Sequence, residues 1–244
     1  MGFLSHLWPW GLILQGVALV HFIRRRPDSY WLWIILFLGP LGALIYIVME
    51  VVPDLGLIGQ TFDGFSRRQS IAQLEATVRE TPTVGNYEEL GALYFDEGKF
   101  AEARQFYDKA ISSGADHLDP YYRRGLAEIQ LNDFAAAAKD LQHVTLRDPK
   151  YDLHRAMGLL AHAYANSGEP EKARSCFEKT TQVSTLTETY FNYASFLASQ
   201  GKAGEAREWV QRILAKKQTM PRNFQRRERP WFNKADALLK RLPA

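Results

Sequence analysis

The chain has 244 residues, 46% of them hydrophobic, and carries a net charge of +3. That length accommodates one sizeable domain and an appendage, and so small a charge gives no ground for a nucleic-acid partner. The single cysteine excludes an internal disulfide framework and a multi-cysteine metal site. Cys176 stands beside Phe177 and reads as a packed, inert thiol.

The first 52 residues are apolar, and the remainder is charged and helix-rich. Tyr30 to Met49 (YWLWIILFLGPLGALIYIVM) runs for 20 residues without a charge. At about 1.5 Å rise per residue, one helix of that length reaches roughly 30 Å, the thickness of a bilayer hydrocarbon core. Tyr30, Trp31 and Trp33 at one end and Tyr46 near the other sit where interfacial aromatics sit. Gly39-Pro40-Leu41-Gly42 should kink this span or let another helix approach closely. Phe3 to Ile23 is a second apolar candidate, diluted by His6, Pro9, Gln15 and His21. It either completes a transmembrane hairpin turned at Arg24-Arg25-Arg26-Pro27-Asp28 or lies in the interface as an amphipathic helix. The expectation is an integral protein of a bacterial inner membrane. The positive-inside rule puts Arg24 to Arg26 in the cytoplasm and the following domain outside, whereas Arg67 and Arg68 argue the reverse. The reading favours the outside.

The stretch RRRPDSYWLWIILFLGPLGALIYIV, with its basic turn, Trp-rich start and GPLGALIY centre, resembles the hydrophobic hairpin that heads cardiolipin synthases and related phospholipase D enzymes. The likeness covers the anchor alone. That family's catalysis needs a His-x-Lys-x4-Asp motif, and none of His117, His143, His154 or His162 has a lysine two positions later. Residues 53–69, with Pro53, Gly56, Gly59 and Gly64, show no helical period and read as a linker. Ser70 then caps a helix through about Glu80, with Ile71, Leu74 and Val78 on one face.

From residue 84 a pattern repeats. Gly98, Asn132, Gly168 and Gly201 are each followed five residues later by Ala103, Ala137, Ala173 and Ala206, and the glycine-type positions step by 34, 36 and 33 residues. A period near 34 that pairs a turn residue with a small helical residue marks stacked helix pairs. With the turn residue set as position 15, units start near 84, 118, 154 and 187. Position 4 then holds Tyr87, Tyr121, Met157 and Tyr190; position 8 holds Gly91, Gly125, Ala161 and Ala194; position 24 holds Tyr107, Leu141, Phe177 and Val210. Small residues let paired helices approach, and bulky ones fill the space between units. Asp119-Pro120 offers a cap followed by a first-turn proline. Arg124 and Glu128, four residues apart, should pair with each other.

These positions, and GALYFDEGKFAEARQFYDKA at 91–110 above all, resemble the tetratricopeptide repeat family over roughly residues 70–215. The resemblance implies an inner groove lined by the first helix of each unit. Carried onto this sequence, it nominates Glu88, Phe95, Tyr122, Leu126, Ile129, Arg155, His162, Asn166 and Phe191, together with Ala92, Asp96, Gln130 and Ser195. Glu88 and Ala92 stand where that family's carboxylate clamp for chaperone tails has Lys and Asn, so the clamp is absent. The occupant should be an extended or helical segment with an apolar stripe and one acidic group.

Past residue 216 the period stops. KKQTMPRNFQRRERP reads as irregular, and Trp231 to Leu242 as an amphipathic capping helix. Residues 216–244 hold nine Lys or Arg against two Asp or Glu, which is either a solvated face or a contact for anionic lipid or an acidic partner. No phosphate-cradling glycine loop, serine elbow or metal-spaced histidine pair is present. His154 and His162 are eight residues apart, too far to share a metal; Asp116, His117 and Asp119 share a loop and offer metal-ligand chemistry, but too weak a signal to read as a site, and His143 reads as a solvated helix residue. The sequence therefore predicts an all-α chain: a transmembrane hairpin over 1–52, a linker over 53–69, an α-solenoid of about four helix pairs over 70–215, and a basic segment with a capping helix over 216–244. The function expected is that of a membrane-anchored scaffold binding a protein partner, without cofactor, metal or catalysis. The alternative is a regulatory subunit of a membrane or lipid-metabolising enzyme.

Overall fold

The computed structural model describes residues 8–25, 30–51 and 57–243. The start of the first apolar segment, the basic turn at 26–29 and residues 52–56 lie outside them. The chain forms two compact units, Met1–Ala72 and Gln73–Ala244.

The first unit contains α1 (Trp8–Arg25), α2 (Tyr30–Phe37) and α3 (Gly39–Tyr46), continued by a π-helical turn at Ile47–Val51. The expected single span over Tyr30–Met49 is not one helix. Gly39 takes a left-handed φ of +57°, and Pro40 brings no N–H, so the helix breaks at Leu38 and folds back. Trp31 and Tyr46 end up with ring centroids 5.5 Å apart, and the Trp31 indole N–H donates to Glu50 Oε1 at 3.1 Å. The fold-back needs Gly42: a Cβ there would lie 2.1 Å from the Ile34 carbonyl oxygen. Tyr46, fully buried, is the centre of this unit, with its hydroxyl 2.9 Å from His21 Nδ1 on α1. Among the described residues no helix is long and apolar enough to cross a membrane.

Helix α4 (Leu57–Glu80) carries the boundary between the units. It corrects the expected linker: the chain is already helical from Leu57, and Ser70 is an interior residue rather than a cap. Glycines at 59 and 64 cost about 1 kcal/mol each in a helix, too little to break 24 residues.

The repeats follow as four helix pairs: α5 (Val84–Asp96) with α6 (Phe100–Ser112), α7 (Asp119–Gln130) with α8 (Phe134–Arg147), α9 (Arg155–Asn166) with α10 (Pro170–Val183), and α11 (Thr187–Ser199) with α12 (Ala203–Thr219). Each pair turns on a left-handed residue, with φ of +73° at Gly98, +60° at Asn132, +83° at Gly168 and +74° at Gly201. Ala103, Ala137, Ala173 and Ala206 are fully buried, as are Tyr107, Leu141, Phe177 and Val210. The small and bulky positions meet inside each pair. A Cβ on Gly91 would lie 2.9 Å from the Tyr107 ring, which is why the unit with the tyrosine has glycine opposite.

Helix α13 (Arg222–Arg241) caps the stack and begins well before the expected Trp231. It contains Pro230, which costs about 3 kcal/mol in a helix interior. Burial of Phe232 and Ala235 against Val210 and Ile213 offsets much of that, since a buried aromatic contributes about 1.5–3 kcal/mol. Two local expectations are also corrected. Asp119 is the first helical residue, not the cap, and its carboxylate accepts from the Tyr151 hydroxyl. Arg124 does not pair with Glu128. Its guanidinium forks onto Asp140 at 2.6 Å through both Nε and Nη2, and Nη1 reaches Asp108 at 2.7 Å. A planar fork matches a carboxylate face-on across helices better than one on its own helix, and the triad ties α6, α7 and α8 together.

Candidate partner-binding groove

Among the described residues, the loop between α8 and α9 holds the most unusual backbone. Asp152, Leu153 and His154 adopt consecutive left-handed conformations, with φ of +48°, +53° and +66°. For a residue with a Cβ this costs roughly 1–2 kcal/mol each. Such strain persists only where surrounding contacts over-determine it, and here they do. The Lys150 N–H donates to Asp148 Oδ1 at 2.9 Å, and His154 Nδ1–H donates to the Pro149 carbonyl at 3.1 Å. The Tyr122 hydroxyl donates to Asp152 Oδ2, and Arg155 Nη1 lies 3.6 Å from the same oxygen.

These contacts string three first helices together. Arg155 on α9 donates to Tyr122 Oη on α7 at 3.3 Å, and through Nε to Glu188 Oε2 on α11 at 2.6 Å. Burial pulls the Arg155 guanidinium down, but the Glu188 hydrogen bonds and charge outweigh it and leave it raised and firmly cationic. Burial, reinforced by the bond to Asp152, pushes the Tyr122 phenol up, so it stays a donor. Beside the network opens a cavity of about 310 Å³, lined by Asp152, Leu153, Arg155, Leu186, Thr187, Glu188 and, from α13, Arg227, Glu228 and Trp231. Leu153 is 80% exposed at its rim.

Of the residues nominated by the sequence, the network brings together Tyr122 and Arg155. Leu126 and Ile129 are half-buried against the main core. His162 packs edge-on to Phe134, with Asn166 Nδ2 at 3.3 Å from its Nδ1, and burial holds its imidazole below the ordinary value. Glu88 pairs with His117 at 3.0 Å. Burial pulls the His117 imidazole down, yet its bonds to Glu88 outweigh this and leave it raised. Phe95 packs on Phe100 within its own turn, and Phe191 packs against Trp231 and Lys234 of the cap, and each is half-buried. Asp152, Leu153, Glu188 and Trp231 were not nominated. The sequence did carry a signal for the first two, the spacing of 36 residues between Asn132 and Gly168. Among the described residues no group of His, Cys, Asp and Glu is placed to hold a metal. Burial pushes the Cys176 thiol up to about 11, consistent with a packed thiol.

The tetratricopeptide repeat pattern matches residues 84–116, 122–182 and 159–221, together more than half of the chain. The chain belongs to the tetratricopeptide repeat family. These matches begin at residue 84 and lend nothing to the likeness between residues 24–48 and phospholipase D-type anchors. No curated protein matches the sequence. The solenoid is similar to that of MamA from Desulfovibrio magneticus RS-1, at 16% identity and a TM-score of 0.59 over 70% of this chain and 96% of that one. It is also similar to pilF of Pseudomonas aeruginosa, at 18% identity and a TM-score of 0.53 over 79% of this chain and 90% of that one. A third similar structure is YrrB, described as a TPR protein with an unusual peptide-binding site, at 17% identity and a TM-score of 0.55 over 68% of this chain and 86% of that one. At these identities the likeness concerns the fold.

Proposed function

We propose that this protein is a scaffold whose tetratricopeptide groove grips a segment of a protein partner at the Asp152–Glu188 cavity. The observation that carries the reading is the strained turn that holds an apolar Leu153 in solvent beside an ordered ionic network. Arg155 is committed to Glu188 and Asp152, so it is not the free partner for the acidic group first expected in the occupant. The lining sets Asp152, Glu188 and Glu228 against Arg155 and Arg227, one carboxylate in excess. It suits an apolar side chain seated on Leu153, Leu186 and Trp231 next to a basic one. A photo-crosslinking residue placed at Leu153 of the full chain tests this. One partner segment should be captured there and not from Leu146, which is 76% exposed at the end of α8. Equal capture from both positions would refute the groove as the site.

The N-terminal unit is proposed to hold the scaffold at a bilayer. Ile13, Val17, Val20 and Ile23 form one exposed apolar face of α1, each 53–64% exposed, and Leu36, Phe37, Leu41 and Met49 are 59–76% exposed. Contiguous apolar surface of this kind marks an interface with lipid or protein. Helices satisfy their own backbone hydrogen bonds, which is the condition lipid imposes on an immersed segment. The chain should stay with the membrane pellet in alkaline carbonate, and release into the supernatant would rule immersion out.

A further inference from the structure

A second pocket, about 470 Å³ in volume, lies between the end of α12 and the start of α13. It is lined by Lys217, Gln225, Arg226, Arg229, Phe232 and Asn233, three cations and no carboxylate. None of the three pairs with a carboxylate among the described residues. Arg226 and Arg229 are three apart on one helix, where like charges repel by a few tenths of a kcal/mol. The first turn of α13, where an acidic residue would complement the helix dipole, has none. Gln225 Nε2 donates to the carbonyls of Lys217 at 3.0 Å and Met220 at 2.7 Å, which fastens the α12–α13 corner that carries the three cations. Phe232 is 2% exposed and forms the floor, and Lys217 Nζ sits 5.7 Å from its ring centroid. With that ring buried, the pocket has no open aromatic face on which a nucleic-acid base would stack.

We propose that this pocket binds a phosphate-bearing anion. Two guanidinium forks and an ammonium converging without a counter-ion are the chemistry that recognises phosphate oxygens, and the volume falls in the small-ligand range. The same phosphate chemistry is offered by an anionic lipid headgroup and by a soluble phosphate compound. The site is independent of the groove, since Arg227, Glu228 and Trp231 face the other cavity from the opposite side of α13.

Calorimetric titration of the full chain, kept in a neutral maltoside detergent, tests the assignment with two probes: inorganic phosphate and short-chain dihexanoyl phosphatidylglycerol. Arg226→Gln with Arg229→Gln should weaken binding by about tenfold or more, equivalent to about 1.4 kcal/mol. Lys240→Gln with Arg241→Gln removes the same charge at the far end of the helix and should leave binding within about twofold of wild type. Arg226→Lys with Arg229→Lys keeps the charge and loses the forks, so weakened binding with unchanged helical circular dichroism supports the site even if the glutamine variant misfolds. Binding of inorganic phosphate supports the pocket and assigns a soluble source, and binding of the lipid probe alone supports it and assigns a headgroup. Absence of binding by either probe, or equal losses in the pocket and far-end variants, would overturn the proposal.

Discussion

Replacing Leu153 by glycine should make the protein more stable and less able to hold its partner. At φ +53° a residue with a Cβ pays roughly 1–2 kcal/mol that glycine does not. Glycine's extra freedom in the unfolded chain takes back about 0.5–1 kcal/mol. Leu153 is 80% exposed, so its removal forfeits little packing. The balance is a gain of about 1 kcal/mol or less, which for a domain of this size raises Tm by roughly 2–4 °C. Leu153→Ala separates the two effects, because it keeps the strained backbone and loses only the apolar side chain. Circular dichroism melts of wild type and both variants in neutral detergent measure the stability. Capture of the partner identified by crosslinking at Leu153, monitored in pull-downs, measures the function. The glycine variant should melt above the alanine one, and both should lose capture. A glycine variant that melts at or below wild type would mean that the turn stores no strain, and the inference from backbone outlier to function would fail with it.

Two further outcomes concern buried titratable groups. Glu128 is 5% exposed, its Oε2 has no partner, and burial followed by the charge of Asp140 raises its carboxyl to about 8. The folded state then binds the extra proton between the ordinary carboxyl value and 8, so stability is full at low pH and is lost as pH rises through that window. At about 1.4 kcal/mol per pH unit, the loss from pH 5 to pH 8 is about 4 kcal/mol. Glu128→Gln should remove that slope, and melting curves that stay parallel to wild type would contradict the burial argument. His162 has the opposite sign: its imidazole lies below the ordinary value because of burial, so its contribution is present above about 6.5 and lost as pH falls. His117 is raised and gains on acidification, which makes the difference between wild type and His162→Asn at each pH the quantity to measure. That difference should shrink toward pH 5, and an unchanged one would place His162 in solvent.

The solenoid was legible because its determinants are local and repeated. A left-handed turn residue followed by a buried alanine four times over leaves one register, and Gly98 through Gly201 and Ala103 through Ala206 occupy it. Single breaks were less legible. Gly39-Pro40 was visible as an interruption, but whether a helix kinks or folds back there depends on what the two halves bury, here Trp31 against Tyr46. Gly59 and Gly64 looked like linker residues because glycine is a weak helix former, and a helix of 24 residues absorbs the cost. Arg124 was matched to the nearest acid in sequence, whereas its partners Asp108 and Asp140 are each 16 residues away and meet it only after the helices stack. The groove suffered most. First-helix positions could be transferred from the family, but loop and cap residues could not, and the cavity is built largely from those. The one local clue was numerical: the step of 36 leaves two residues beyond the period of 34, in the unit whose inter-helix loop holds the turn at Asp152–His154.

The cap also decides how much groove a partner can use. Because Trp231 lies 5.7 Å from Phe191 and Lys234 stands over the same ring, the fourth first helix is covered beyond the first turn that lines the cavity, and α13 becomes the end wall. What remains open runs from α5 across α7 and α9 to that wall. Neighbouring helices pack about 8–10 Å apart, so this run is roughly 20–30 Å long. An extended peptide advances about 3.3 Å per residue, which limits the seated segment to about six to nine residues. With so short a contact, the affinity must concentrate where the groove is already ordered. Tyr122, Asp152, Arg155 and Glu188 are fixed to one another before anything binds, so a partner gains contacts there without ordering side chains. The strained turn therefore belongs at the end-wall cavity, where its exposed leucine meets a preorganised surface, and the same turn in the loop before α7 would have no such wall to face.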